Sequence, residues 1–302
     1  MIPNKVKIVE VGPRDGLQNE KTILSSEKKV QFISDLFHSG IENIELTSFV
    51  RPDRIPQLSD SEQVFKEASN ISGLDLTKCP VLVPNQKGFD RAKDLGVKRI
   101  ALFTATSDKF NLKNINCRID ESLAKLGEVA KQCPAENISI RGYVSTVFGC
   151  PYEGKTTSGN LERIIKTLLD LGVDEISLGD TIGIGTPNEV EKILDSILAY
   201  CPIEKIAMHF HDTYSRGLAN VYASLKYGVS IFDTSAGGMG GCPYAKGASG
   251  NLATEDLVSL LDDLKIEHGV NLSSVADASQ KVLSALGRES LSKVYQVVRN
   301  GK

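Results

Sequence analysis

The chain has 302 residues, 41% hydrophobic and 24% charged, with a formal net charge of −3. This balance describes a folded protein with a sizeable core and gives no general attraction to nucleic acid or to an anionic membrane. No apolar run approaches the roughly 20 residues of a membrane span. Strand-like sequence begins almost at Met1, leaving no room for a signal or transit peptide, so the expected compartment is the cytoplasm. None of the six cysteines forms a Cys-x-x-Cys pair, which argues against a zinc knuckle or a thioredoxin motif. Without a secretory signal, a disulfide framework is not expected either.

Taken in order, short β-branched runs at residues 6–11, 44–49, 80–83, 99–104, 139–146, 175–178, 205–210 and 230–234 read as strands. Between them lie amphipathic segments, including 26–39, 121–132, 161–171, 187–200 and 215–227. Gly40, Gly96, Gly172 and Gly228 stand between a helical segment and the next strand, where a C-terminal glycine cap belongs. Eight such units predict a single (β/α)8 barrel over 1–302, with about 265–302 as a C-terminal helical extension. A doubly wound sheet is the rival. The first strand is followed by Gly12-Pro-Arg-Asp-Gly16 rather than a Gly-x-Gly-x-x-Gly turn, which favours the barrel.

In a barrel, reactive groups belong at the C-terminal ends of strands or in the loops just after them. Arg14 and Asp15 follow the first strand, Glu45 lies in the second, and Asp180 comes just beyond the sixth. His209 and His211 end the seventh, while Cys242 and Asn251 follow the eighth. His209 and His211 are two apart on a strand and so share a face, as metal ligands or as structural histidines. With Asp15 and Asn251 they make a plausible site of two nitrogens and two oxygens, suited to Mg2+ or Mn2+ rather than structural zinc. Taken singly, Asp15 could serve a turn, Asn251 a helix cap, and Arg14 an ion pair with Glu45 or Asp180. The stretch 237–251, with six glycines and Cys242-Pro243 at its centre, reads as an active-site flap or as a linker.

Five segments, Val9-Glu-Val-Gly-Pro-Arg-Asp-Gly-Leu-Gln-Asn-Glu20, Tyr143-Val-Ser-Thr-Val-Phe-Gly-Cys-Pro-Tyr-Glu153, Ile176-Ser-Leu-Gly-Asp-Thr181, His209-Phe-His-Asp-Thr213 and Gly240-Gly-Cys-Pro-Tyr-Ala-Lys-Gly-Ala-Ser-Gly-Asn251, closely resemble the 3-hydroxy-3-methylglutaryl-CoA lyase family. Arg-Asp-Gly and His-x-His are shared with isopropylmalate synthase, homocitrate synthase and 4-hydroxy-2-oxovalerate aldolase; the Gly-Gly-Cys-Pro-Tyr-Ala loop is more specific. The resemblance implies a (β/α)8 barrel that splits 3-hydroxy-3-methylglutaryl-CoA into acetyl-CoA and acetoacetate, in leucine catabolism. It implies Asp15, His209, His211 and Asn251 as ligands of a divalent cation, and catalytic roles for Arg14, Asp15, Glu45, Asp180, His209 and Cys242. Arg14 would offset enolate charge, the Cys242 thiol would supply a proton, and Asp15 or His209 would act as base. Lys113 and Asn114 resemble positions near the CoA moiety.

Another 3-hydroxyacyl-CoA substrate, or an aldolase or acyl-CoA condensing activity on the same barrel, is the alternative. A non-enzymatic metal-binding scaffold is disfavoured because every named position carries a competent group. The expected partners are an acyl-CoA substrate and further copies of the chain, as a homodimer or larger homo-oligomer. Met239 and Ser215-Arg216 depart from the family pattern without removing a reactive group. The chain also lacks the C-terminal cysteine through which animal members pair subunits, and it shows no peroxisomal Ser-Lys-Leu-type ending.

Overall fold

The computed structural model describes residues 1–156, 158–241 and 250–301. In chain order it contains β1 Lys7–Glu10, α1 Ser26–His38, β2 Asn43–Ile44, β3 Thr47–Ser48, α2 Ser61–Ala68, β4 Val81–Leu82 and α3 Gln86–Asp94. There follow β5 Arg99–Ala105, α4 Asp108–Ile115, α5 Ile119–Ala130, β6 Ser139–Ser145, α6 Ser158–Asp170, β7 Glu175–Asp180 and α7 Pro187–Ile197. The chain then runs through β8 Ile206–Phe210, α8 Gly217–Lys226, β9 Ile231–Thr234, α9 Thr254–Asp263, α10 Leu272–Leu286 and α11 Lys293–Asn300.

All strand pairs are parallel, in the order β2-β1-β9-β8-β7-β6-β5-β4-β3. Only Glu45 and Leu46 separate β2 from β3, so the two ends of that order meet and the sheet closes into the expected barrel. The second expected strand is therefore two short ladders. Its first half pairs with β1 and its second with β4, and at the junction the Glu45 amide donates to the Glu10 carbonyl and the Leu46 amide to the Pro80 carbonyl. β7 runs two residues further than its apolar run suggests, making Asp180 its last residue rather than one beyond it.

Helix ends follow local chemistry. The Ser25 hydroxyl accepts from Lys28 N at the start of α1, and Thr186 with Glu189 forms a reciprocal cap ahead of Pro187 in α7. Gly40, Gly96, Gly172 and Gly228 carry φ of +97°, +73°, +77° and +91°, the left-handed turn that lets each chain segment leave a helix and re-enter the sheet.

Side chains alternate along each strand and so divide the apolar material unevenly. The outer faces, among them Ile8, Ile100, Leu178, Met208 and Phe232, pack with Leu36, Leu126, Ile165, Leu194 and Leu225 of the helices into one large core. The inner faces give only small clusters, Val9, Val11, Ala207 and Ile231 on one side and Leu82, Ala101 and Tyr143 on another. The rest of the interior is polar: Arg141, Ser177, His209 and Asp233 are all buried there. Near the C-terminus, α10 packs against α1 and α9, and α11 packs against α9 and α10. Among the described residues no helix is long and apolar enough to cross a membrane.

Candidate active site

Four chain segments bring the reactive groups together. The first is the wide turn Gly12–Gly16, in which the Gly16 amide reaches back to the Val11 carbonyl, five residues earlier. Such single wide turns recur where a side chain must be aimed at a site. Gly16 is required there, since a Cβ would come within 2.7 Å of Ser235 Oγ. The turn presents Arg14 and Asp15 side by side.

The second segment is the end of β8, which carries His209 and, one residue past the strand, His211. The third is residues 250–254, laid between the ends of β8 and β9. The Leu252 amide donates to the Phe210 carbonyl, the Ser235 amide donates to the Leu252 carbonyl, and His211 and Asn251 face each other in an isolated bridge. This strip fixes Asn251 beside His211. The fourth segment, the junction between β2 and β3, supplies Glu45.

Asp15, His209 and His211 each present a ligand atom within 4.8 Å of the others. Asn251 joins them, its Nδ2 donating to Asp15 Oδ2 at 2.9 Å and to the Met239 carbonyl at 3.1 Å. Its Oδ1 is buried with no hydrogen-bond partner, and so is Nδ1 of His211. Buried polar atoms are normally paired. A carboxylate, two imidazoles and an orphaned amide oxygen in one place form a donor set that fits a divalent cation. Burial, and then the neighbouring His209, push His211 down to about 4, which keeps it neutral as a ligand must be. Burial opposes the charge of Asp15, but Arg14 and the two histidines hold its carboxyl below the ordinary range.

Arg14 is buried, with Nε donating to Glu45 Oε2 at 2.7 Å and Nη1 to Asp15 Oδ1 at 2.7 Å. Both readings of this arginine are thus physically present: it is ion-paired, and among the described residues its Nη2 remains without a hydrogen bond. Tyr143 lies between Arg14 and Arg141, its ring centre 5.3 and 4.7 Å from the two guanidinium carbons, and its hydroxyl donates to Glu45 Oε2 at 3.1 Å.

Among the described residues, none of the remaining expected residues is hydrogen-bonded to this cluster. Asp180 accepts from the amides of Ile184 and Gly185 at 3.0 and 2.9 Å, so its carboxylate is turned into the loop after β7. Burial pushes that group up to about 6. Lys113 and Asn114 are exposed near the end of α4, in the unit that follows β5. Cys242 lies outside the described residues.

Sequence reading passed over the residues that support the cluster from below, chiefly Asp233 and Arg141. A signal existed for each: both are charges inside strands otherwise apolar enough to be buried on both faces.

The HMGL-like family model matches residues 5–282. The chain belongs to the HMGL-like family. It is 49% identical over 294 residues to the hydroxymethylglutaryl-CoA lyase, mitochondrial, of Bos taurus, covering 97% of this chain and 90% of that one. The Homo sapiens protein of the same name is 48% identical over 295 residues, covering 98% and 90%. Among solved structures, an HMG-CoA lyase from Bacillus subtilis superposes with a TM-score of 0.94 at 42% identity, over 98% of this chain and 99% of that one. An HMG-CoA lyase from Acinetobacter baumannii, in complex with coenzyme A and 3-methylmalate, gives a TM-score of 0.91 at 35% identity, over 97% and 95%. The family's lyases thus share the whole barrel with this chain. The carboxyl transferase domain of Rhizobium etli pyruvate carboxylase shares the fold alone, with a TM-score of 0.72 at 14% identity.

Proposed function

We propose that the chain is a divalent-cation-dependent carbon–carbon lyase that cleaves 3-hydroxy-3-methylglutaryl-CoA to acetyl-CoA and acetoacetate, in leucine catabolism. The observation that carries this reading is the buried set of Asp15, His209, His211 and Asn251 beside Arg14, in a chain matched from end to end by lyases of that name.

A cation, Mg2+ or Mn2+ by the hardness of the oxygen donors, would be held by those four residues and would supply Lewis acidity toward the substrate's oxygens. Everything else falls to the chain. Cleavage needs the tertiary hydroxyl to lose its proton, and the candidate acceptors in the cluster are the Asp15 carboxylate and, when its lone pair is not engaged with the cation, the His209 imidazole. Negative charge then develops on the thioester oxygen of the leaving enolate. Arg14 is fixed by Glu45 and Asp15 yet keeps donors free, so its charge is pre-oriented for that oxygen. Cys242 follows directly on Gly241, and its thiol is the proposed proton donor to the enolate carbon. Glu45 contributes by orienting Arg14, and Asp180 by shaping the loop after β7. Lys113 and Asn114 are proposed to meet the CoA moiety from α4. The chain is proposed to work as a homodimer or larger homo-oligomer.

The test is acetoacetate release from purified protein across a small panel of 3-hydroxyacyl-CoA thioesters. Activity should be abolished by chelation and restored by Mg2+ or Mn2+. Full activity in protein shown by elemental analysis to be metal-free would sink the cation role, and faster turnover of another thioester would reassign the substrate. Fractionation of the source cells decides between the cytoplasm expected from the sequence and the mitochondria of the relatives' names.

A further inference from the structure

Beneath the cluster the barrel interior holds a chain of buried charge that the proposed reaction does not use. Arg141, on β6, is wholly buried. Its Nε donates to Glu175 Oε1, and its Nη1 and Nη2 close a two-point grip on the carboxylate of Asp233, on β9. Ser177, on β7, donates to Asp233 Oδ2 at 2.7 Å. The same Oδ2 lies 3.2 Å from Nδ1 of His209, whose backbone is in register with Asp233. Thus Oδ1 takes one contact and Oδ2 three, so the carboxylate is held at both oxygens and Oδ2 has no lone pair to spare.

That grip has a chemical consequence. Ionised and gripped at both oxygens by Arg141, Asp233 can only accept toward His209. The proton of a neutral His209 must then sit on Nδ1, leaving Nε2 as a bare lone pair for the cluster with Asp15 and His211. The grip by Arg141 prevents the carboxylate from turning, and Arg141 is itself held by Glu175 and by the Tyr143 ring. We infer that Asp233, clamped by Arg141 and Ser177, is a positioning residue that fixes the tautomer and orientation of His209.

The inference rests on the reading that His209 is a cation ligand, but its first test does not. Long-range proton–nitrogen NMR correlations on the metal-free wild-type chain, with the imidazoles neutral, report which ring nitrogen of His209 carries hydrogen. Hydrogen on Nδ1 is expected; hydrogen on Nε2 overturns the inference. This measurement requires no variant, so it holds even if Asp233→Asn fails to fold. In the folded variant the Asn amide can donate to Nδ1, so the tautomer should shift and Mn2+ affinity, followed by electron paramagnetic resonance, should fall by roughly 10–100-fold. An unchanged tautomer or unchanged affinity in a variant with a cooperative melt also overturns it. Failure of the wild-type chain to bind Mn2+ would instead remove the cation site, with the tautomer measurement still deciding the role of Asp233.

Discussion

Gly240 is the position at which the stem of the glycine-rich loop touches the site, and Gly240→Ala is a sharp test of how Asn251 is held. Gly240 has a φ of +108°, and a Cβ there would come to 2.5 Å from Asn251 Nδ2. Ordinary contact begins near 3.4 Å, so the amide must move by about 0.9 Å. That movement would break its hydrogen bonds to Asp15 and the Met239 carbonyl and take Oδ1 away from the cluster. The expected loss of Mn2+ affinity is at least the roughly 10–100-fold typical of disturbing an outer-sphere partner. Backbone strain adds about 1–3 kcal/mol of destabilisation. With an unfolding entropy of roughly 2.1 cal/mol/K per residue over 302 residues, this lowers Tm by about 2–5 °C. Calorimetric titration of Mn2+ beside a melt of the metal-free variant reads both quantities. Wild-type affinity in the folded variant would refute the assignment of Asn251 as a ligand.

Three further outcomes are expected. Arg14→Gln strips Glu45 and Asp15 of their buried cation, at a cost of about 3–5 kcal/mol, and should also lower kcat by roughly 10²–10³ with a much smaller change in KM; a kcat unchanged well below the melt returns Arg14 to a purely structural role. Cys242→Ser should retain Mn2+ binding and lose most turnover, since a hydroxyl is a far weaker acid than a thiol; near-normal steady-state cleavage rejects the proton-donor role. Stability should fall as pH rises from about 6.5 to about 8. Burial raises Glu10 and Glu255 to about 7, so the folded chain holds protons that the unfolded chain, with both near 4.5, has already released. The two together contribute a loss of about 1.5 kcal/mol over that window, or roughly 2–3 °C in Tm. Below about pH 6.5 the lowered His211 works in the opposite direction and masks the effect. A flat or rising Tm across the upper window contradicts it.

The barrel was legible because alternation, helical spacing and glycine caps are local properties, and each repeats along the chain. The pairing of Arg14 with Glu45 was weighed from sequence, and the side-by-side placement of Asp15, His209, His211 and Asn251 followed from their positions at strand ends. Other features depend on where distant segments meet. Asp180 stands at a strand end as the sequence suggests, yet two amides of its own loop capture its carboxylate. Asp233 reads as an interruption in an apolar run until β6, β7 and β8 close around it. The split of the second strand depends on which neighbour each half meets, a tertiary fact that propensity does not encode.

The uneven division of apolar material has a consequence for how such a protein can change. Among the described residues most of the buried apolar side chains belong to the layer between strands and helices, and the lumen holds charges that must balance one another but contribute little oil-like packing. A lineage can therefore exchange its lumenal residues in compensating sets, cation with anion, while the outer layer continues to specify the ring. That separation accounts physically for an architecture shared at 14% identity with a domain of a different name. It also points an engineer to the inward positions of β6, β7 and β9 as the place where new chemistry could be installed, provided each charge removed takes its partner with it.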